Sequence, residues 1–271
     1  MTAFTFVSTK IRAFSTKSAW VMALSLSLFS GIVHADKITL ISPDTKVNVL
    51  EVYTSQGCSS CPPAEHWLSR FEEDPGLWKE FIPLNFHVDY WDYIGWKDPF
   101  ANPLFSYRQR LYEQLKLSKN VATPGFIVNG QGWNGWFYGQ QPGFTKQQAS
   151  GVITATIEEN QIQVRFSPSV DKFSIEDSPQ DDLNRLRVHV AILGFDARTT
   201  VTAGENKGRE LSHDFVVLAY HNQLMTREDD VAKASLTLPD ASGYRIDKKA
   251  LVVWVADRIN PSPIQALGAW L

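Results

Sequence analysis

The chain has 271 residues, 44% of them hydrophobic, so it carries enough apolar side chains for a sizeable core. Its 26 Lys and Arg residues against 29 Asp and Glu residues give a formal net charge of −3. The sequence has no cluster of basic side chains, and this argues against nucleic acid or an anionic membrane surface as a main partner. We predict no cofactor and no bound metal ion.

The first 35 residues have the order of a signal peptide. Three basic residues precede an apolar run over residues 19–33, which is short for a membrane span. The run ends in Val33-His34-Ala35, with small residues at the positions that signal peptidase requires. We expect cleavage after Ala35, location in the periplasm or the medium, and no membrane association afterwards. An uncleaved amphipathic anchor is the alternative.

The two cysteines, Cys58 and Cys61, are three positions apart. A disulfide between them closes a ring too small to constrain the unfolded chain strongly. An exported protein of this size that relied on disulfides for stability would need more pairs over longer loops. Chemical reactivity therefore explains the pair better than stabilisation does.

Strand and helix patterns flank the cysteine pair. Residues 47–53 are typical of a buried parallel strand, and apolar side chains recur at helical spacing over residues 64–71. A cysteine at a helix N-terminus faces unpaired N–H groups and the positive end of the helix dipole, which lowers its pKa. We therefore predict that Cys58 is the attacking thiolate and that Cys61, one turn into the helix, is the resolving thiol.

A second strand is predicted over residues 81–88, a helix from Asn102 to about residue 117, and a strand over residues 121–128. Strands that alternate with helices are typical of an α/β unit. After a linker-like stretch, about seven strand patterns with turn signals between them favour a β-sandwich.

Three sequence motifs carry a family resemblance. They are LEVYTSQGCSSCPPAE over residues 50–65, HVDYWDYIGWKDPF over residues 87–100 and TPGFIVNG over residues 123–130. The order of the cysteine pair, a helical insertion and Thr-Pro before an apolar strand resembles the thioredoxin superfamily. The three motifs together are similar to secreted bacterial proteins known only as domain of unknown function 1223 (DUF1223).

The resemblance implies a fold and several site residues. We expect an α/β thioredoxin-like domain with a helical insertion over residues 36–150, followed by an antiparallel β-sandwich-like domain over residues 151–271. In thioredoxins a cis-proline faces the cysteines and docks the substrate backbone. The resemblance gives that role to Pro124, with Thr123 beside it. Gly57 departs from the thioredoxin pattern, since thioredoxins usually have Trp at this position.

Glu51 is an acidic residue inside an otherwise apolar strand, where a charged carboxylate is costly to bury. Thioredoxins keep a buried acid behind the second cysteine. One interpretation makes Glu51 the general base for Cys61. The other gives it a structural hydrogen bond or an edge position.

Asp89, Trp91 and Asp92 follow the carboxyl end of a predicted strand, where the sites of α/β sheets gather. They are candidates for a substrate groove, and packing of an aromatic loop on the helix is the alternative. Residues 204–210 are expected to form a hairpin loop that contacts the first domain, with a phosphate-binding loop as the weaker alternative. His189, His213 and His221 are interpreted as structural.

The leading functional hypothesis is an exported thiol–disulfide oxidoreductase that acts on protein or small-molecule thiols and disulfides, with a redox partner that the sequence does not identify. One alternative is a copper or other metal carrier in which His66 or His87 joins the cysteines. The other is a non-catalytic binding module with a structural disulfide.

Overall fold

The structure is a computed structural model that describes the first residue and residues 37–145, 148–169 and 185–271. The predicted signal peptide lies outside these residues. The described residues from residue 37 onwards belong to one compact unit. In the part of the chain that the structure describes, no helix has the length and apolar character needed to cross a membrane.

The described residues form two α-helices and fifteen strands. The helices are α1 (Cys61–Ser69) and α2 (Pro103–Gln114). In chain order the strands are β1 (Ile38–Ile41), β2 (Asn48–Thr54), β3 (Phe81–His87), β4 (Gly125–Val128), β5 (Gln131–Gly132), β6 (Gly151–Glu158), β7 (Gln161–Pro168), β8 (Leu186–Gly194), β9 (Ala197–Thr200), β10 (Glu210–His213), β11 (Val216–Leu224), β12 (Thr226–Glu228), β13 (Val231–Thr237), β14 (Lys249–Asp257) and β15 (Pro263–Trp270).

The strands form two large sheets and one hairpin. The larger sheet has eight strands in the order β15-β14-β8-β11-β3-β2-β4-β5. In it β3 pairs in parallel with β2 on one side and, through Asn85 and Val216, with β11 on the other. The second sheet is antiparallel in the order β1-β6-β7-β13-β12, and β9 pairs with β10 as a separate hairpin.

The predicted fold class is wrong. The described chain is mostly β-sheet and does not resemble an α/β thioredoxin-like fold with a helical insertion followed by a β-sandwich. The eight-stranded sheet overturns the prediction, because strands from both sides of residue 150 pair within it. Hydrophobic patterns show which residues are buried but not which strands are neighbours, so the sequence could not place β11 beside β3.

One buried cluster joins the two ends of the eight-stranded sheet. It includes Val49 on β2, Phe86 on β3, Phe105 on α2 and Trp254 on β14. The opposite face of β8 and β14 belongs to a second cluster, which contains the inward-facing side chains of the five-stranded sheet. Strands β8 and β14 are therefore buried on both faces, which explains their nearly continuous apolar sequences.

The two helices lie on opposite faces of β2. Successive side chains of a strand point in opposite directions, so two side chains three positions apart point to different faces. Thr54 points towards α1, where its hydroxyl donates to Glu65. Glu51 points towards α2, where Arg108 donates to it. Helix α2 begins as predicted, since the Asn102 side chain accepts a hydrogen bond from the backbone N–H of Leu104 at 2.9 Å.

The carboxyl ends of β2 and β3 lie side by side because the two strands are parallel. The first strand leads into the cysteine loop and the second into residues 88–98. The β9–β10 hairpin packs against α1 and against the cysteine loop. Three segments that are distant in sequence thus meet at one edge of the sheet.

Candidate functional site

Both cysteines are buried thiols at the start of α1. Cys61 is the first residue of the helix, and its backbone N–H donates to the carbonyl of Cys58 at 3.2 Å. The exposed fraction is 2% for Cys58 and 0% for Cys61. Both residues are therefore almost completely shielded from solvent.

The two thiols differ strongly in acidity. A hydrogen bond from the Cys61 thiol lowers the pKa of Cys58 to about 6, and further hydrogen bonds from Ser60 and Thr123 add to this effect against the opposing effect of burial. The Ser60 hydroxyl lies 3.2 Å from Cys58 Sγ. Burial, the hydrogen bond to Cys58 and the charges of Cys58 and Glu65 raise the pKa of Cys61 well above its usual value.

Thr123 and Pro124 lie beside Cys58. The peptide bond between them is cis, and Cys58 Sγ lies 3.6 Å from the carbonyl oxygen of Thr123. Trp91 Nε1 donates to the Thr123 hydroxyl at 2.7 Å. The structure therefore brings three of the predicted substrate-binding residues next to the predicted attacking thiol.

Gly57 lets the loop with Trp91 approach the cysteine loop. A Cβ atom at Gly57 would lie 3.1 Å from Trp91 Cβ and 3.2 Å from Ile94 Cδ1, both closer than ordinary van der Waals contact. A larger residue at this position would push the loop away from Cys58.

Asp89 and Asp92 bind to other protein groups near the site. Asp89 accepts a hydrogen bond from the Ser106 hydroxyl on α2 at 2.5 Å. Asp92 accepts from the backbone N–H of Asp98 at 3.4 Å, and burial raises the pKa of Asp92. These contacts match the packing alternative rather than a substrate groove.

Glu51 lies on the sheet face opposite Thr54 and does not act on Cys61. Arg108 donates to both of its carboxylate oxygens, at 2.8 Å and 2.7 Å. The hydroxyls of Tyr53 and Tyr112 donate to the same carboxylate at 2.7 Å and 2.6 Å. This fully hydrogen-bonded buried carboxylate corrects the general-base interpretation in favour of the structural one.

Glu65 is the acidic residue on the cysteine side. Its carboxylate accepts hydrogen bonds from the Thr54 hydroxyl and from His213 Nδ1. Trp96 Nε1 can only donate and lies 3.0 Å from Gln56 Oε1, so the amide nitrogen of Gln56 faces His213 Nε2, also at 3.0 Å. His213 Nε2 must then accept, which leaves the imidazole proton on Nδ1, where it donates to Glu65. Burial alone would raise the pKa of Glu65, but the charge and hydrogen bond of His213, the charge of His87 and the hydrogen bond from Thr54 together outweigh burial and lower it.

His87 lies next to this network at the end of β3. Its Nδ1 is 2.8 Å from Asp98 Oδ2, and its ring centroid lies 4.9 Å from that of His213. Burial alone would lower the pKa of His87, but the charge and hydrogen bond of Asp98, together with the charge of Glu65, outweigh burial and raise it. His87 Nε2 is buried and has no hydrogen-bond partner among the described residues.

The loop of residues 204–210 contacts the cysteine loop, as predicted. The buried Asn206 side chain donates to the carbonyls of Gln56 and Cys58, both at 2.9 Å. Glu205 accepts a hydrogen bond from the backbone N–H of Ser59 at 2.9 Å. Side chains of residues 204–210 therefore hold the cysteine loop by hydrogen bonds to its backbone. The sequence pattern does not reveal these contacts.

Sequence reasoning missed the roles of Glu65, Asp98 and His213. Glu65 could have been found, because it lies four residues after Cys61 on the same helix face. His213 was interpreted as structural, since nothing in the sequence brings β10 to the cysteines. His66, proposed as a metal ligand beside the cysteines, is exposed.

The family model for proteins of unknown function, DUF1223, matches residues 49–256 of this chain. The chain belongs to the DUF1223 family. The match covers the cysteine loop, the loop after β3, Thr123-Pro124 and the β9–β10 hairpin. All segments of the candidate site thus lie within the matched residues, whereas the predicted signal peptide precedes them.

Two solved structures share the fold. An X-ray structure of a protein from Agrobacterium tumefaciens is 22% identical to this family member, with a TM-score of 0.51 over 85% of this chain and 96% of that one. HBP35 of Porphyromonas gingivalis is 15% identical, with a TM-score of 0.56 over 85% of this chain and 76% of that one. No curated protein sequence matches the chain.

Proposed function

We propose that the chain is an exported thiol–disulfide oxidoreductase that uses Cys58 and Cys61. The observation that carries this proposal is the contrast between two adjacent thiols, one with a pKa of about 6 and the other with a raised pKa. Near neutral pH the first is mainly a thiolate, which is the form that attacks disulfides, and the second keeps its proton.

The proposed thiol–disulfide exchange proceeds in two displacement steps. The Cys58 thiolate attacks one sulfur of a substrate disulfide, forms a mixed disulfide and releases the other substrate sulfur as a thiolate. That thiolate takes the proton of Cys61, and the Cys61 thiolate then attacks Cys58 Sγ and releases the remaining substrate sulfur as a thiolate. The protein ends with a Cys58–Cys61 disulfide, and the substrate has gained two electrons. The reverse sequence oxidises a substrate dithiol.

Access to Cys58 requires movement of its neighbours, because 2% of the residue is exposed. Trp91 and Thr123 lie against the cysteine loop and are joined by their own hydrogen bond. We propose that these two residues and Pro124 contact the substrate segment next to its reacting sulfur, and that partners are thiol or disulfide compounds outside the cytoplasm.

Redox titration against glutathione, followed by counting free thiols, tests the function. We expect a two-electron transition with a defined potential in the wild type, and loss of that transition in Cys58→Ser and in Cys61→Ser. A potential of about −120 mV would identify an oxidant and one of about −270 mV a reductant.

A trapping experiment provides the matched control. Cys61→Ser should accumulate a mixed disulfide at Cys58 with glutathione, whereas Cys58→Ser should not form one at Cys61, whose thiol is fully buried. Equal trapping at both sulfurs, or no trapping at either while the protein stays folded, would contradict the proposed roles. The second outcome would favour a non-catalytic module.

A further inference from the structure

We propose that Glu65, His87 and His213 form a binding site for a divalent transition-metal ion of the zinc type, behind the cysteine pair. Each residue offers one ligand atom, and these atoms lie within 4.8 Å of one another. All three side chains are buried, at 3%, 0% and 0% exposure. They come from α1, from the end of β3 and from the end of β10.

The ligand types indicate the kind of ion. Two imidazole nitrogens and one carboxylate oxygen bind Zn²⁺ and related ions, and the same set with open positions also binds Fe²⁺. Mg²⁺ and Ca²⁺ prefer ligand sets made of oxygen, and Cu⁺ prefers sulfur. The site does not use the cysteines, so it differs from a metal carrier of the cysteine–histidine type.

Each of the three residues is also held by an outer partner. Metal-binding histidines are usually oriented through their second ring nitrogen, and ligating carboxylates are themselves hydrogen-bonded. The three pairs are His87 Nδ1 with Asp98, His213 Nε2 with Gln56, and Glu65 with Thr54. These outer partners leave His87 Nε2 and His213 Nδ1 as the nitrogens that can bind the ion.

His87 Nε2 provides a second, independent observation. Because Asp98 holds Nδ1, the other ring nitrogen must find its partner elsewhere, yet it is fully buried without a hydrogen-bond partner among the described residues. A buried polar atom without a partner destabilises the fold, because it has given up its hydrogen bonds to water. A metal ion bound between His87, His213 and Glu65 would satisfy it.

Metal binding requires a defined movement of one proton. In the metal-free network His213 carries its proton on Nδ1, which faces Glu65. Binding of the ion at Nδ1 transfers this proton to Nε2, and the Gln56 amide must rotate so that its oxygen accepts it, which breaks the hydrogen bond of that oxygen with Trp96 Nε1. A modest inward shift of the ligands is also needed, because Zn–N bonds are about 2.1 Å long and the ligand atoms span up to 4.8 Å.

Titration of the full chain with Zn²⁺, in competition with a chromophoric chelator, tests the site. Cys58→Ser and Cys61→Ser are introduced together, so that sulfur cannot bind the ion and the result does not depend on the proposed thiol chemistry. We expect one Zn²⁺ per chain. His87→Gln and His213→Gln should each abolish this binding, and Asp98→Asn should weaken it roughly 10- to 100-fold.

His66→Gln is the matched control. His66 is adjacent to Glu65 on α1 but exposed, so its replacement should leave Zn²⁺ affinity unchanged. Co²⁺ added to the protein that keeps all three ligands gives a readout that does not depend on the ligand variants folding. A nitrogen–oxygen site should give intense visible d–d bands without the near-ultraviolet band of a thiolate ligand.

Three results would overturn the proposal. They are the absence of Zn²⁺ binding by the folded protein without cysteines, equal affinity in folded His213→Gln, and a Co²⁺ spectrum that shows only hydrated ion. Binding by the wild type that disappears when the cysteines are replaced would assign the ion to the cysteine pair instead.

Discussion

The acidity of Cys58 results from a few hydrogen bonds at the start of α1. Ser60 is one donor, at 3.2 Å from the sulfur, whereas the neighbouring Ser59 donates its backbone N–H to Glu205. We expect Ser60→Ala to raise the pKa of Cys58 from about 6 by roughly one unit, because a lost hydrogen bond to a charged group is worth about 1.5 kcal/mol or more.

The pH dependence of iodoacetamide alkylation at Cys58, followed by mass spectrometry, measures this shift. Ser59→Ala serves as the control and should keep the wild-type midpoint. A midpoint in Ser60→Ala that equals that of Ser59→Ala would show that Ser60 does not stabilise the thiolate.

The same lowered pKa makes the stability of the reduced protein depend on pH. A thiol with a depressed pKa in the folded state stabilises that state fully above its unfolded pKa of about 8.5, and this contribution is lost as the pH falls through about 6. The difference in free energy of unfolding between the reduced wild type and Cys58→Ser should therefore shrink by roughly 3 kcal/mol from pH 9 to pH 5. Urea unfolding under reducing conditions measures it, and a difference that stays constant with pH would contradict the assigned pKa.

Glu51 has a structural role that a single substitution can separate from catalysis. Glu51→Gln leaves the buried Arg108 guanidinium without its counter-charge, so we expect a loss of about 3–5 kcal/mol in free energy of unfolding. The alkylation midpoint of Cys58 should not change. Glu228→Gln, which removes an exposed ion pair with Lys233, is the control and should cost less than about 1 kcal/mol. Slower resolution of a mixed disulfide by Cys61 without loss of stability would restore the general-base interpretation.

At the scale of elements, the β9–β10 hairpin holds the cysteine loop in place, although the two segments are far apart in the sequence. Asn206 donates to two backbone carbonyls of the cysteine loop, so Asn206→Ala removes the donor to the Gln56 carbonyl and leaves the Cys58 carbonyl with only the Cys61 N–H. We expect a loss of roughly 1–3 kcal/mol and faster alkylation of Cys58, because the loop opens more often.

Hydrogen exchange of residues 55–61 measures this opening directly. Lys207→Ala, an exposed position in the same loop, should leave both exchange and alkylation unchanged. Unchanged exchange in Asn206→Ala would mean that the hairpin does not restrain the cysteine loop.

At the scale of the whole molecule, the eight-stranded sheet makes the segments before and after residue 150 depend on each other for folding. Phe86 and Phe105 share a buried cluster with Trp254, which lies far beyond residue 150. We expect residues 36–271 to unfold in one transition, with near- and far-ultraviolet circular dichroism giving the same midpoint in urea.

Residues 36–150 expressed alone should fail to fold, because β3 would lose β11 at its edge and the cluster would lose its C-terminal side chains. A cooperative transition of this fragment would show that it is an independent domain after all.

The sequence by itself determined the local features of this protein. The pattern of apolar residues placed β2, β3 and both helices close to their observed positions, and Asn102 marked the start of α2. The spacing of the cysteines placed the pair at a helix start, and the three motifs identified the family. These features are local because they depend on backbone preferences and on side chains a few positions apart.

Only the tertiary structure decided which distant residues meet. The pairing of β11 with β3 merged two expected domains into one sheet, and the β9–β10 hairpin brought Asn206 and His213 to the cysteine loop. Alternation along β2 placed Glu51 opposite Arg108 and left Glu65 as the acid on the cysteine side. Strand pairing depends on burial and hydrogen bonds between segments far apart in the chain, and no local pattern records them.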